Sequence, residues 1–327
     1  MLRAASVGLG WWSDVLARSV QEGTGSISIV SCFSRSAEKR RVFAERFGTR
    51  SHDSYEAVLR DPDIDAVILT TPHSLHAAHV AQATAAGKHV FVEKPFALTA
   101  ASGRTAAAAC AKAGVVLAVG HNRRFTGAFQ EMKRMLGAGE IGTVLHAEAN
   151  FSSPGALSYT PERWRANRSE SPGGAIAALG IHMIDTLCWL LGPIVRVSAQ
   201  AKRRAVKVDI DDTTSALFDF AAGPTGYLGT FFACPMTSYV HIFGTAANAV
   251  SHADGTKLTV HRSGAEPVDV PIEPVDTLRA ELEEFAAACA GRTAFRISPE
   301  EAIHNVAVME AMVASAANGG TPIRIAP

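Results

Sequence analysis

The chain has 327 residues, a length that at ~150 residues per domain points to two domains and at least one sizeable core. Lysine plus arginine equals aspartate plus glutamate at 31 each, so no net field draws it to nucleic acid or an anionic membrane, and neither is expected as a partner. Cys32, Cys110, Cys188, Cys234 and Cys289 are scattered singly and read as reduced core thiols; no run of about 18 apolar residues occurs, and the opening MLRAASVGLG reads directly as a strand, so the expected location is the cytoplasm.

From residue 1 to about 120 the apolar pattern alternates between short continuous runs and longer helical ones, as in parallel β-α-β units. Residues 4–8, 27–33, 66–70, 89–92 and 115–119 read as strands, each apolar throughout because both faces are covered. Residues 12–21, 37–47, 75–86 and 100–113 read as helices between them. The fold expected is α/β, with a doubly wound Rossmann sheet over residues 1–121 whose ligand site lies outside the carboxyl ends of its strands.

Gly8, Gly10, Trp12 and Ser13 lie in Gly-Leu-Gly-Trp-Trp-Ser, where the first strand turns into the first helix. This approximates the dinucleotide fingerprint G-x-G-x-x-G with serine in the third glycine position. Glycine lets the backbone turn tightly and approach a pyrophosphate, which the exposed amides of the helix N-terminus stabilise. An acid at the end of the second strand would favour NAD, but the chain reads Ser34-Arg35-Ser36 there, with Lys39 and Arg40 following. A hydroxyl and a guanidinium suit a 2′-phosphate, so NADP is expected in preference to NAD.

Thr71, Pro72, His73 and His76 follow the third strand, and Glu93-Lys94-Pro95 the fourth. Lys94 is a catalytic candidate from position alone: an ammonium at a strand's carboxyl end can hydrogen-bond a substrate oxygen as it gains alkoxide character. His73, His76 and His79 have helical spacing, but no cysteine or carboxylate nearby completes a zinc shell, and no metal is expected.

After residue 121 the texture changes, and a second, α/β domain with a largely antiparallel sheet is expected over residues 122–327. Its strands are residues 142–151, 195–201, 213–220, 226–232 and 239–243; residues 276–290 and 299–317 are helices. A polar connection over 152–172 carries Arg163, Trp164, Arg165 and Arg168 and has the length of a functional loop. A further helix is expected from about Ile176 to Leu191, stopped by Gly192 in a left-handed cap and by Pro193. His182 and Asp185 share one face of it.

The ordered set GLGWWS, TPHSLH, EKP, GHNRRF, RWR and GIHMID resembles the glucose-fructose oxidoreductase and inositol dehydrogenase family, Gfo/Idh/MocA, over essentially the whole chain. The resemblance implies an NAD(P)-dependent oxidoreductase acting on a hydroxyl or carbonyl of a sugar, cyclitol or related small molecule, with a homodimer or homotetramer built on the second domain. It implies that Thr71, Pro72 and His76 line the nicotinamide side, His73 standing where the family often has asparagine. Glu93, Lys94, Arg123, Trp164 and Arg165 join the cofactor-binding candidates on the same basis. His182 occupies the place of the family's proton-transferring histidine. The family's aspartate four residues earlier is here Ala178, so Asp185 is the candidate to orient the imidazole from the other side. A cofactor-binding sensor without turnover and an NAD-dependent glycoside-cleaving activity remain open as alternatives.

Overall fold

In the computed structural model, which describes residues 1–21 and 25–326, Leu2–Val7 forms β1 and Trp11–Gln21 forms α1. Then come β2 (Ile27–Phe33), α2 (Ala37–Phe47), β3 (Arg50–Ser51), α3 (Tyr55–Arg60), β4 (Ala66–Leu69), α4 (His76–Ala85), β5 (His89–Glu93), α5 (Ala100–Ala113) and β6 (Leu117–Gly120). The strands form one sheet in the order β3-β2-β1-β4-β5-β6, every pairing parallel. β4 and β6 are buried at every residue, the consequence of helices on both faces. Helix ends follow local chemistry: Ser36 caps α2 by accepting from the Lys39 amide, and Gly48 ends it at φ 66°, ψ 30°.

β3 and α3 were not anticipated. Two residues are too short to show a period, whereas α3 carries a readable signal, Ser54 capping the amide of Ala57. The later helix α8 (Thr277–Cys289) also groups differently from the sequence reading. Asp276–Ile303 belongs with Met1–Asn122 in one compact unit, and Leu282, Phe285 and Ala286 of α8 are buried in the same core as Leu16 and Val20 of α1 and Ile27 and Ile29 of β2. An amphipathic helix advertises an apolar face without naming the surface it covers.

The second unit comprises Arg123–Val275 and the chain from His304 onward. It contains α6 (Gly127–Gly137), β7 (Val144–Ser152), α7 (Ile181–Leu191), β8 (Ile194–Lys202), β9 (Thr213–Phe220), β10 (Thr225–Phe231), β11 (Thr237–Gly244), β12 (Asn248–His252), β13 (Lys257–His261) and β14 (Val268–Val270). Most of α9 (Pro299–Ala317) and the short β15 (Ile323–Arg324) complete it. The nine strands run β14-β13-β12-β11-β7-β10-β9-β8-β15, antiparallel except for the parallel β10–β7 pair. β9 shows the logic: Thr214, Ala216, Phe218 and Phe220 are buried while Leu217 between them is exposed, so one face of the sheet is covered. Among the described residues no helix is long and apolar enough to cross a membrane.

The helix expected from Ile176 is two conformations in series. Ile176–Gly180 is a π turn, and the α-helix begins only at Ile181. π turns are rare and concentrate at functional sites. The wider turn also means that the four-residue alignment of Ala178 with His182 assumed for a plain α-helix does not carry through. Gly192 ends α7 at φ 90°, ψ −178°, which is not the left-handed cap expected but is equally a glycine conformation.

Candidate functional site

In the first unit the carboxyl ends of β1, β4 and β5 stand side by side, because those strands are neighbours in the sheet. Gly8 leaves β1 at φ 97°, and a Cβ on it would lie 2.7 Å from the Thr71 nitrogen and 2.8 Å from the Thr70 carbonyl carbon. Conformation and space both demand glycine, and the turn is locked against β4. The Thr70 hydroxyl donates to the Gly8 carbonyl, and the Gly8 amide donates to Phe33 at 2.9 Å. A Cβ on Gly10, by contrast, would meet nothing within 4 Å. That open approach to the N-terminus of α1 is the cradle a pyrophosphate requires, and the residues present fit a dinucleotide there.

Ser13, expected among the cofactor contacts, braces this turn. It is buried, its hydroxyl donates to the Gly10 carbonyl at 2.6 Å, and its oxygen accepts from the Gly10 amide at 2.9 Å. Trp12 is half-buried against the core of the unit, with the exposed Trp11 tilted over it at 5.4 Å. At the end of β2, Ser34 and Arg35 begin a turn whose form is set by Arg40. Arg40 donates to the carbonyls of Ser34 (2.8 Å) and Arg35 (3.4 Å) and pairs with Asp53 at 2.9 Å. Arg35 itself projects into solvent.

Beyond β4, Thr71 is buried and its hydroxyl lies 3.2 Å from His79 Nδ1; the Tyr55 hydroxyl donates to the His79 carbonyl at 2.9 Å. Burial pushes the His79 imidazole below its ordinary pKa, with Glu56 opposing. Pro72 leads into a single 3₁₀ turn, His73–Leu75, and the buried His73 ring packs edge-on against His76 at 5.7 Å. Both ring nitrogens of His76, expected to line the nicotinamide side, face backbone carbonyls, of Pro95 and Thr71. Glu93 ends β5 as a buried carboxylate opposite Gly120, where a Cβ would sit 2.9 Å from Glu93 Oε1. The Lys94 amide donates to Glu93 Oε2 at 3.3 Å, and the Lys94-Pro95 peptide is cis.

In the second unit the Phe151 ring lies between two candidates. The Arg123 guanidinium stacks on it at 4.0 Å and the His182 imidazole meets it edge-on at 5.7 Å. Arg123 is buried and pairs with Asp254 at 2.5 Å within the same unit. Trp164 and Arg165 lie on one 3₁₀ turn, Trp164–Ala166, with the guanidinium 4.1 Å over the indole. Asp185, expected to orient His182, has other engagements. Arg124 donates to its carboxylate from Nε and Nη2, and Asn305 Nδ2 donates at 2.7 Å, all three residues being buried. These bonds make Asp185 an anchor of α7. Neither Arg124 nor Asn305 was singled out from sequence, although an arginine pair flanked by Phe125 and His121 was a hint.

Comparison with known proteins agrees with this architecture. Residues 2–121 match the family model described as an oxidoreductase family with an NAD-binding Rossmann fold, and residues 129–250 match the GFO/IDH/MocA C-terminal domain. The chain is 30% identical to D-xylose 1-dehydrogenase (NADP(+)) 2 of Haloferax volcanii, covering 88% of this chain and 89% of that one. It is 28% identical to the 1,5-anhydro-D-fructose reductase of Ensifer adhaerens, covering 89% of each. Among solved structures, a putative NADPH-dependent oxidoreductase of Desulfitobacterium hafniense superposes with a TM-score of 0.93 at 32% identity, covering 99% of this chain and 97% of the other.

Proposed function

The chain belongs to the Gfo/Idh/MocA family of NAD(P)-binding oxidoreductases, and from that premise we propose that it interconverts a secondary hydroxyl and a carbonyl on a sugar, cyclitol or related small molecule, with NADP preferred over NAD. The observation that carries the reading is the end of β5. There Lys94 follows the strand two places along the sheet from β1, with only β4 between it and the glycine turn at which the dinucleotide is expected.

A nicotinamide dinucleotide, when bound, supplies the hydride acceptor. The amides around Gly10 and the start of α1 would hold its pyrophosphate, and Ser34 and Arg35 would hold a 2′-phosphate, the arginine by charge-assisted bonds. Thr71, Pro72, Trp164 and Arg165 remain our candidates for the nicotinamide surroundings. Lys94 donates a hydrogen bond to the substrate oxygen and stabilises alkoxide character as hydride leaves carbon. His182 takes the hydroxyl proton, a task suited to an imidazole, which titrates near neutral pH. The relatives whose names specify a sugar or an anhydro-sugar favour a polyhydroxylated substrate.

The experiment is a spectrophotometric panel of sugars, cyclitols and hydroxy acids with NADP and with NAD. Reduction of NADP by at least one polyol, faster than reduction of NAD, is the expected outcome. Tight cofactor binding with no turnover of any hydroxyl compound would leave a sensor as the better reading. We also propose a homodimer or homotetramer assembled through the second unit, where the sheet exposes Leu217; a monomer by sedimentation at micromolar concentration contradicts this.

A further inference from the structure

The β4–β5 ladder ends at the pair Leu69↔Val92, one residue before Glu93 and two before Lys94. Beyond that pair the turns carrying Thr71 and Lys94 continue from neighbouring strand ends. The His76 imidazole spans the two turns. It is wholly buried, with Nδ1 2.8 Å from the carbonyl oxygen of Pro95 and Nε2 2.9 Å from that of Thr71. A carbonyl oxygen only accepts, so both contacts are hydrogen bonds at the same time only when both ring nitrogens carry a proton, as in the imidazolium. One side chain thereby pins both strand ends.

We propose that His76 is a positioning residue for Lys94, acting through the Pro95 carbonyl, and not a ligand of the cofactor. The proposal rests on the catalytic role assigned to Lys94 above. A lysine stem has four rotatable bonds, so the placement of its ammonium depends on how firmly its backbone is held. The Nδ1 tie fixes the residue immediately after Lys94, and the Nε2 tie fixes the opposite strand end. The two ties therefore differ in consequence, and that difference is measurable.

Asparagine places an amide donor roughly where Nδ1 lies, and glutamine where Nε2 lies. His76→Asn keeps a donor for Pro95, and His76→Gln keeps one for Thr71. With a substrate from the panel, His76→Asn should hold kcat within about 3-fold of the parent, and His76→Gln should lose at least about 10-fold in kcat. KM for the cofactor should stay within about 2-fold in both. Equal losses in the two variants, or a change confined to cofactor KM, overturn the proposal. Two readouts stand apart from turnover and separate this proposal from the dehydrogenase reading. In protein labelled with 15N-phenylalanine, the Phe96 amide signal should keep its position in His76→Asn and move in His76→Gln; a signal unmoved in His76→Gln overturns the Pro95 tie. In the unsubstituted protein, histidine nitrogen spectra should show a proton on His76 Nδ1, and a bare Nδ1 overturns it whether or not the variants fold.

Discussion

The Asp185 carboxylate and the Arg124 guanidinium are joined by hydrogen bonds of 2.7, 3.0 and 3.1 Å while both side chains are almost completely shielded from solvent. The pair ties α7, which begins one residue before His182, to the 3₁₀ turn Asn122–Phe125, and Asn305 of α9 donates to the same carboxylate. Removing one partner strands a buried charge, which typically costs about 3–5 kcal/mol. Arg124→Met and Asp185→Leu should each lose stability in that range by urea unfolding, and the double variant should lose less than either. A double variant as damaged as the sum of the two would show that the pair is not a unit.

Gly8 and Gly10 make a contrast. Gly8→Ala forces a Cβ into the Thr70-Thr71 backbone at a φ that alanine rarely adopts, so the turn itself must distort. Gly10→Ala meets no protein atom. We expect Gly8→Ala to lower both the melting temperature and cofactor affinity, the latter by more than about 10-fold. Gly10→Ala should leave the unfolding free energy within the roughly ±0.5 kcal/mol scatter of neutral substitutions and still weaken cofactor binding. Cofactor affinity unchanged in Gly10→Ala, measured by calorimetry, contradicts the placement of the pyrophosphate.

Cofactor choice should divide between two arginines. Arg35 is solvent-exposed, whereas Arg40 is committed to the carbonyls of the turn and to Asp53. A charge-assisted bond contributes about 1.5–3 kcal/mol, roughly 10- to 100-fold in affinity. Arg35→Ala should weaken NADP by about that factor and leave NAD almost unchanged. Arg40→Ala should weaken both, because the turn loses its brace. Equal NAD and NADP binding in the parent, unmoved by Arg35→Ala, removes the case for a 2′-phosphate site.

Acid should destabilise the protein before carboxylates titrate. Burial lowers the pKa of His79, His89 and His304. Their folded values lie below the unfolded value of about 6.5, so the unfolded chain binds more protons as pH falls. Their contribution is complete above pH ~6.5 and is lost as pH drops through the folded values. Urea midpoints should therefore fall between pH 7.5 and 5.5, and a midpoint that rises over that interval contradicts the burial effect.

Much of this architecture was legible because periodicity is local. The strand over 27–33 and the helices over 37–47 and 100–113 appear with the bounds their apolar spacing implies. The motif around Gly8 was legible for the same reason, since its glycines lie at the turn between one strand and the next helix, within a few residues of both. Partnerships were not legible. Arg124, Asp185 and Asn305 lie 61 and 120 residues apart along the chain, and nothing in their spacing says that they meet. The hydrogen-bond partners of Ser13 and His76 were not legible either. A residue type that suits a ligand equally suits a backbone carbonyl or amide, and only the fold decides which lies within reach. Ala178 is the clearest instance, since its alignment with His182 depended on a helical pitch that the π turn alters.

The most direct test of the central claim is single-turnover reduction of NADP by an active polyol, comparing the parent with Lys94→Ala and His182→Ala. The account predicts that both variants bind NADP with affinity close to the parent's and lose about 10²- to 10⁴-fold in the hydride step, the range associated with removing a positioned proton donor or acceptor. A hydride step undiminished in either variant, with the cofactor still bound, would contradict it.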